Sequence, residues 1–128
     1  MRTIVTICSK NKDGSTGDIA AYLRYKSNRI NEVMKVATKK KLPFFILSGK
    51  YGLIKHDQPI PFYNHLLVNE ETDRLAKIIS DQIINYGINS ITFYAKPKLQ
   101  DWAAYYDALE KAASMAKINL DIHTLKVN

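Results

Sequence analysis

The stretch Pro43-Phe44-Phe45-Ile46-Leu47-Ser48-Gly49-Lys50-Tyr51-Gly52 decides the fold. Its first half, Pro43 to Ser48, is a short continuous apolar run that ends in small residues, the pattern of a strand buried on both faces. Thr3-Ile4-Val5-Thr6-Ile7-Cys8 and Ser90-Ile91-Thr92-Phe93-Tyr94-Ala95 have the same β-branched and aromatic character. Leu120 to Val127 reads as a fourth strand. Amphipathic stretches lie between them. Ile19 to Tyr25 suits a short helical segment. Ser27 is an N-cap for a helix with Ile30, Val33, Met34 and Ala37 on one face, and Lys39, Lys40 and Lys41 suit the negative end of its dipole. Asn69 caps a second helix with Leu75, Ile78, Ile79, Ile83 and Tyr86 on its apolar face and Gly87 as its C′ residue. Leu99, Trp102, Tyr106, Leu109, Ala113 and Ala116 mark a last helix. Gly49 to Val68, with Gly52, Pro59 and Pro61, reads as irregular.

The resulting order, β-α-β-loop-α-β-α-β, predicts an α/β fold. The expected architecture has three layers: a mostly parallel four-stranded sheet, Rossmann-like in plan, with helices on both faces and right-handed crossovers. No linker-like or repeated segment divides residues 1–128, so one domain is expected.

Composition narrows the function classes. The 128 residues include 19 Lys and Arg against 12 Asp and Glu, a net charge of +7, with 46% hydrophobic and 24% charged residues. This is a globular composition, not a disordered one. No apolar run approaches the roughly 18 residues of a membrane-spanning helix, and Met1 to Cys8 is too short and strand-like for a signal peptide. A single cysteine forms no internal disulfide, which fits a reducing, cytoplasmic setting. One cysteine and three histidines without tight spacing do not make a structural zinc site. No Gly-x-Gly-x-x-Gly or Walker-type phosphate loop is present, so a classical dinucleotide site is not supported, and the sequence leaves any cofactor unknown.

In parallel α/β sheets ligands bind outside the carboxyl ends of the strands. Three such ends carry unusual residues: Cys8-Ser9-Lys10-Asn11-Lys12, Ser48-Gly49-Lys50-Tyr51-Gly52 and Tyr94-Ala95-Lys96-Pro97-Lys98. The expected edge thus holds Lys10, Lys12, Lys50, Lys96 and Lys98 beside turns whose backbone N–H groups suit an anion. Gly49 and Gly52 allow a positive φ or a close backbone approach. Cys8 beside lysines is a candidate nucleophile, with His56 or His65 as its base. Cysteine is also often a small buried hydrophobe. Asp57 is a candidate base or reader of a ligand N–H. In the long, proline-stiffened loop, Phe62 is expected to plug the core and Tyr63 to face the site.

Taken together, Ile7-Cys8-Ser9-Lys10-x-Lys12, Ile46-Leu47-Ser48-Gly49-Lys50-Tyr51-Gly52-Leu53-Ile54 and Asp57-x-Pro59-Ile60-x-x-Tyr63 resemble a microbial family of unknown function whose hallmark is an ILSAKYGLL strand-turn. The turn is also similar to that of the larger YaaA peroxide-stress family. The resemblance covers about residues Ile4 to Leu67. It implies matching site positions at Cys8, Ser9, Lys12, Ser48, Lys50, Tyr51, Gly52, Asp57, Pro59 and Tyr63. Through the YaaA-like group it implies an association with DNA and oxidative stress. This chain departs from the pattern at Gly49, where the smaller family has Ala, and in the spacing of Pro61 and Tyr63.

Three readings follow. The first is a pocket for a nucleotide, nucleobase or other phosphorylated anion at the carboxyl edge, with Cys8 and Asp57 as candidate catalytic groups. Its ligand contacts would be Ser9, Lys10, Lys12, Ser48, Gly49, Lys50, Tyr51, Gly52 and Tyr63. The second is a non-catalytic nucleic-acid-binding module. The third is a structural or interaction protein whose charge serves solubility. No membrane partner is expected, and no residue pattern sets an oligomeric state.

Overall fold

The computed structural model describes residues 1–65, 67–98 and 102–125. Its main sheet is built from β1 (Arg2–Ile7), β3 (Phe44–Ser48), β4 (Gly52–Lys55), β6 (Ser90–Ala95) and β7 (Asn119–Thr124), in the order β4-β3-β1-β6-β7. β1 pairs in parallel with β3 on one side (Val5 with Phe45) and with β6 on the other (Val5 with Phe93). β6 and β7 are also parallel, whereas β4 is antiparallel to β3. A two-stranded antiparallel ribbon joins β2 (Ile19–Ala20) to β5 (Pro59–Ile60).

The α/β class therefore stands, but the expected four-stranded layout is corrected to a mixed, five-stranded sheet. The physical reason lies in the stretch expected to be irregular. Gly49 to Tyr51 make a three-residue hairpin loop, and Gly52 enters β4 at φ 74°, a left-handed conformation that glycine adopts without steric cost. β4 is then fastened along its outer edge by α3 (Thr72–Tyr86). There Gln82 accepts from the Leu53 N–H at 2.7 Å and donates to the carbonyls of Tyr51 and Leu53. This satisfies backbone groups that an edge strand would otherwise leave open.

Among the described residues, four α-helices cover the sheet. α1 (Ala21–Arg24) and α2 (Asn28–Lys40) lie on one face, where Ile30, Val33 and Ala37 pack on Ile4, Phe44, Ile46 and Ile54. Ser27 caps α2 as expected, accepting from the Ile30 N–H at 3.3 Å. α3 and α4 (Ala103–Ala116) lie on the other face, with Leu75, Ile79, Tyr106 and Leu109 against Val5, Phe45, Leu47 and Phe93. Gly87 ends α3 at φ 70°. Asn69 does not cap α3; it opens a single 3-10 turn, Asn69–Glu71, that precedes it. Leu99 and Val127, the outer marks of the last expected helix and strand, lie outside the described residues. Among the described residues no helix is long and apolar enough to cross a membrane.

Candidate anion-binding cleft

The order of the strands places the site. β1 leads through α2 to β3 on one side, and β6 leads through α4 to β7 on the other. The two connections depart to opposite faces, so a crevice opens between the carboxyl ends of β1 and β6. A cleft of about 1040 Å³ lies there. Its walls are the Ile7–Lys12 segment, the Lys26–Arg29 entry to α2, Lys96 after β6, Trp102 and Tyr105 at the start of α4, and Asn64 and His65 from the chain before α3.

Local bonding explains how the walls hold. Ser9 Oγ accepts from the Asn11 N–H and donates to the Lys26 carbonyl, closing a tight turn after β1. The Asp13 N–H donates to the Arg24 carbonyl at 2.7 Å and the Lys26 N–H to the Asn11 carbonyl at 2.8 Å, so the Lys12 and Lys26 segments run side by side. Arg24 itself is fully buried. It donates to the carbonyls of Asp13, Ser15, Gly17 and Ile60, which locks the loop after β1 onto β5.

Arg29 forms the floor. Its guanidinium donates to Thr6 Oγ1 and the Ile7 carbonyl, both at 2.7 Å, and to the Cys8 carbonyl at 3.2 Å. The Thr6 hydroxyl in turn donates to the Tyr94 carbonyl at 2.6 Å, linking β1 to β6. Every one of these acceptors is neutral. Burial pulls the Arg29 pKa down to about 10, and only the nearby Cys8 opposes the shift. At neutral pH the group is thus a half-buried cation without a carboxylate partner among the described residues. Lys10, Lys12, Lys26 and Lys96 line the same cleft, and no Asp or Glu lines it among the described residues. Some cations elsewhere are ion-paired, as in Lys35 with Glu32, Lys77 with Asp81 and Lys111 with Asp73.

Cys8 is half-buried in the cleft wall, with Sγ 3.8 Å from the Tyr105 hydroxyl. Burial pushes its thiol up; the Tyr105 hydroxyl, the Gly49 N–H, Lys12 and Arg29 pull the other way without cancelling the effect. At neutral pH it is held as the thiol. His65 Nε2 lies 2.9 Å from Glu71 Oε2, which also meets Arg74 at 3.1 Å.

Of the residues singled out from sequence, the cleft brings together Cys8, Ser9, Lys10, Lys12, His65 and Lys96. Ser48 is buried behind it. Its oxygen accepts from the N–H groups of Lys50 and Tyr51, both at 3.1 Å, and meets the Tyr63 hydroxyl at 2.8 Å. Tyr63 is 6% exposed and is hydrogen-bonded to Tyr25, whereas Phe62 is 47% exposed, the reverse of the expected roles. The reason is the phenol: buried, it finds two hydroxyl partners that Phe62 could not use. Gly49 packs so tightly that a Cβ would sit 3.0 Å from the Tyr105 hydroxyl. Lys50 lies outside the cleft lining, with its ammonium 5.3 Å from the Tyr51 ring centroid and 5.7 Å from that of Tyr63. Lys98 is ion-paired with Asp107 at 2.6 Å.

Asp57 and His56 are not brought to the cleft. Because β4 runs antiparallel to β3, the chain returns to the amino edge of the sheet, where the His56 N–H meets the Phe44 carbonyl and Asp57 is exposed. Sequence reasoning missed Lys26, Arg29, Trp102 and Tyr105. For Trp102 and Tyr105 the available signal was that α4 begins only a short connection beyond β6; α2 follows β1 only after β2 and α1, so no local signal pointed to Lys26 and Arg29. Among the described residues no group of His, Cys, Asp and Glu is placed to hold a metal ion. No protein-family model, no curated protein and no solved structure matches the chain.

Proposed function

We propose that this chain binds a phosphorylated, nucleotide-like small molecule in the cleft between β1 and β6. The observation that carries the reading is Arg29. A guanidinium partly withdrawn from water and left without a counter-charge costs free energy. Half-buried Arg29 does so at the floor of a cleft that also holds Lys12, Lys26 and Lys96 and, among the described residues, no Asp or Glu. An anion bound there offsets that cost, and the N-terminus of the 13-residue α2, which opens onto the same cleft, favours it further. On this reading the Ile46–Ile54 segment, with its resemblance to the YaaA-type turn, backs the cleft through Gly49 and Ser48. The reading is one of binding: the Cys8 thiol is protonated and Asp57 stands at the other edge.

Thermal denaturation with millimolar orthophosphate and AMP tests it. Ligand that binds only the folded state raises the midpoint, and Lys26→Ala with Arg29→Met should abolish the rise. Absence of any rise in the unaltered protein overturns the proposal. A single-stranded oligonucleotide that binds more tightly than AMP, with steep salt dependence, supports the nucleic-acid module instead.

A further inference from the structure

Lys12 and Lys50 converge on one buried ring. The Lys12 ammonium lies 4.8 Å from the Tyr63 centroid and 5.9 Å from that of Tyr25. The Lys50 ammonium lies 5.7 Å from the same Tyr63 centroid and 5.3 Å from that of Tyr51. The ring cannot move away, because its hydroxyl is tied to Ser48 and Tyr25 and its edges meet the Tyr25 and Tyr51 rings. Tyrosine faces attract each ammonium separately, and this one ring is shared by both. Among the described residues neither ammonium has a carboxylate partner, in contrast to Lys98, which meets both Asp107 and Glu110. Lys12 also lines the main cleft that Arg29 lines, whereas Lys50 lies beyond its lining.

Building on the cleft reading above, we infer that the ligand carries two consecutive phosphoryl groups, as a nucleoside diphosphate does. One phosphoryl group sits over Arg29, and the next bridges Lys12 and Lys50 above Tyr63. Lysine suits the second seat as a mobile point charge, and arginine suits the first as a fixed, directional donor.

The experiment compares orthophosphate, AMP, pyrophosphate, ADP and a ten-nucleotide single-stranded DNA by calorimetric titration, on the unaltered protein and on Lys50→Ala. Lys50 is exposed, so the variant folds, which its circular dichroism checks. Pyrophosphate and ADP are expected to bind at least tenfold more tightly than orthophosphate and AMP, and Lys50→Ala should bring that ratio to within about twofold of one. Equal affinity for mono- and diphosphates, or a preference that survives in Lys50→Ala, overturns the inference while the cleft reading stands. Failure of all the small phosphates to bind overturns both. DNA binding tenfold tighter than ADP overturns the inference in favour of a strand-tracking surface.

Discussion

The guanidinium of Arg29, in the first turn of α2, lies 4.8 Å from the ring centroid of Trp102, at the entry to α4. Two helices that cover opposite faces of the sheet thus meet across the crevice through one cation–aromatic contact. Trp102 is the chain's single tryptophan, so its emission reports on this contact alone. Titration with AMP is expected to change its fluorescence intensity or maximum, because an anion at Arg29 alters the charge above the indole. In Arg29→Met the same titration should leave the emission flat. A full response in that variant would place the anion elsewhere.

Gly49 is set by packing and not by its φ, which is not positive, unlike that of Gly52. A Cβ there would stand 3.0 Å from the Tyr105 hydroxyl and 3.1 Å from Leu67 Cβ. Gly49→Ala is therefore expected to lose about 1–3 kcal/mol by overpacking. Tyr105→Phe removes the closest of these atoms, so the double variant should recover a measurable part of the loss. Guanidinium unfolding of the four proteins checks this. Strict additivity of the two changes would show that the hydroxyl is not the obstacle.

Much of this framework was legible because its signals are local. β1, β3 and β6 are apolar β-branched or aromatic runs, and α2 announces itself through Ser27 and the spacing of Ile30, Val33 and Ala37. β4 was not legible: Gly52 and the short Leu53-Ile54-Lys55 run look like loop until Gln82, distant in sequence, satisfies the outer backbone groups. That one omission misplaced Asp57, since only the antiparallel return carries it to the amino edge. The site divides in the same way. Cys8, Lys10, Lys12 and Lys96 follow strands directly and were found by the carboxyl-end rule. Arg29 and Trp102 enter from crossover helices, and their meeting depends on which face each helix takes.

Gln82 makes a separate claim about β4. Replacing it by Ala removes one accepted and two donated hydrogen bonds at the outer edge of the strand. The expected cost is about 1–3 kcal/mol. Amide exchange should accelerate at Leu53 far more than at Val5 in the central strand. Unchanged protection at Leu53 would mean that solvent or another group supports the edge.

Alkaline pH should loosen the fold. Burial raises the Cys8 thiol and the Tyr25, Tyr63 and Tyr105 phenols above their ordinary values, and the nearby Cys8 thiolate adds to the rise at each tyrosine. The folded chain keeps these protons while the unfolded chain releases them. Stability is thus fully present below the ordinary thiol value of about 8.5 and is lost as pH climbs through the tyrosine range near 10 and beyond. The guanidinium midpoint should be level from pH 7 to 8 and decline from pH 9 to 10.5, by the linkage of those ordinary values. Cys8→Ser should move the onset upward. A level midpoint through that whole range would contradict the assignment.

Arg24 offers the sharpest separation between fold and function. Its guanidinium is fully buried and meets four backbone carbonyls, from Asp13, Ser15, Gly17 and Ile60, while its Nε has no partner. An ammonium has three donors on a single atom and cannot span acceptors spread over a loop and a strand. Arg24→Lys should therefore cost about 3–5 kcal/mol, as expected when a buried charge loses its partners. It should also open the Asp13–Gly17 loop to limited proteolysis. Because that loop continues from Lys12, diphosphate affinity should fall together with loop protection, even at temperatures where the core remains folded. Wild-type affinity in a variant whose loop is cut would show that the Lys12 position does not depend on Arg24.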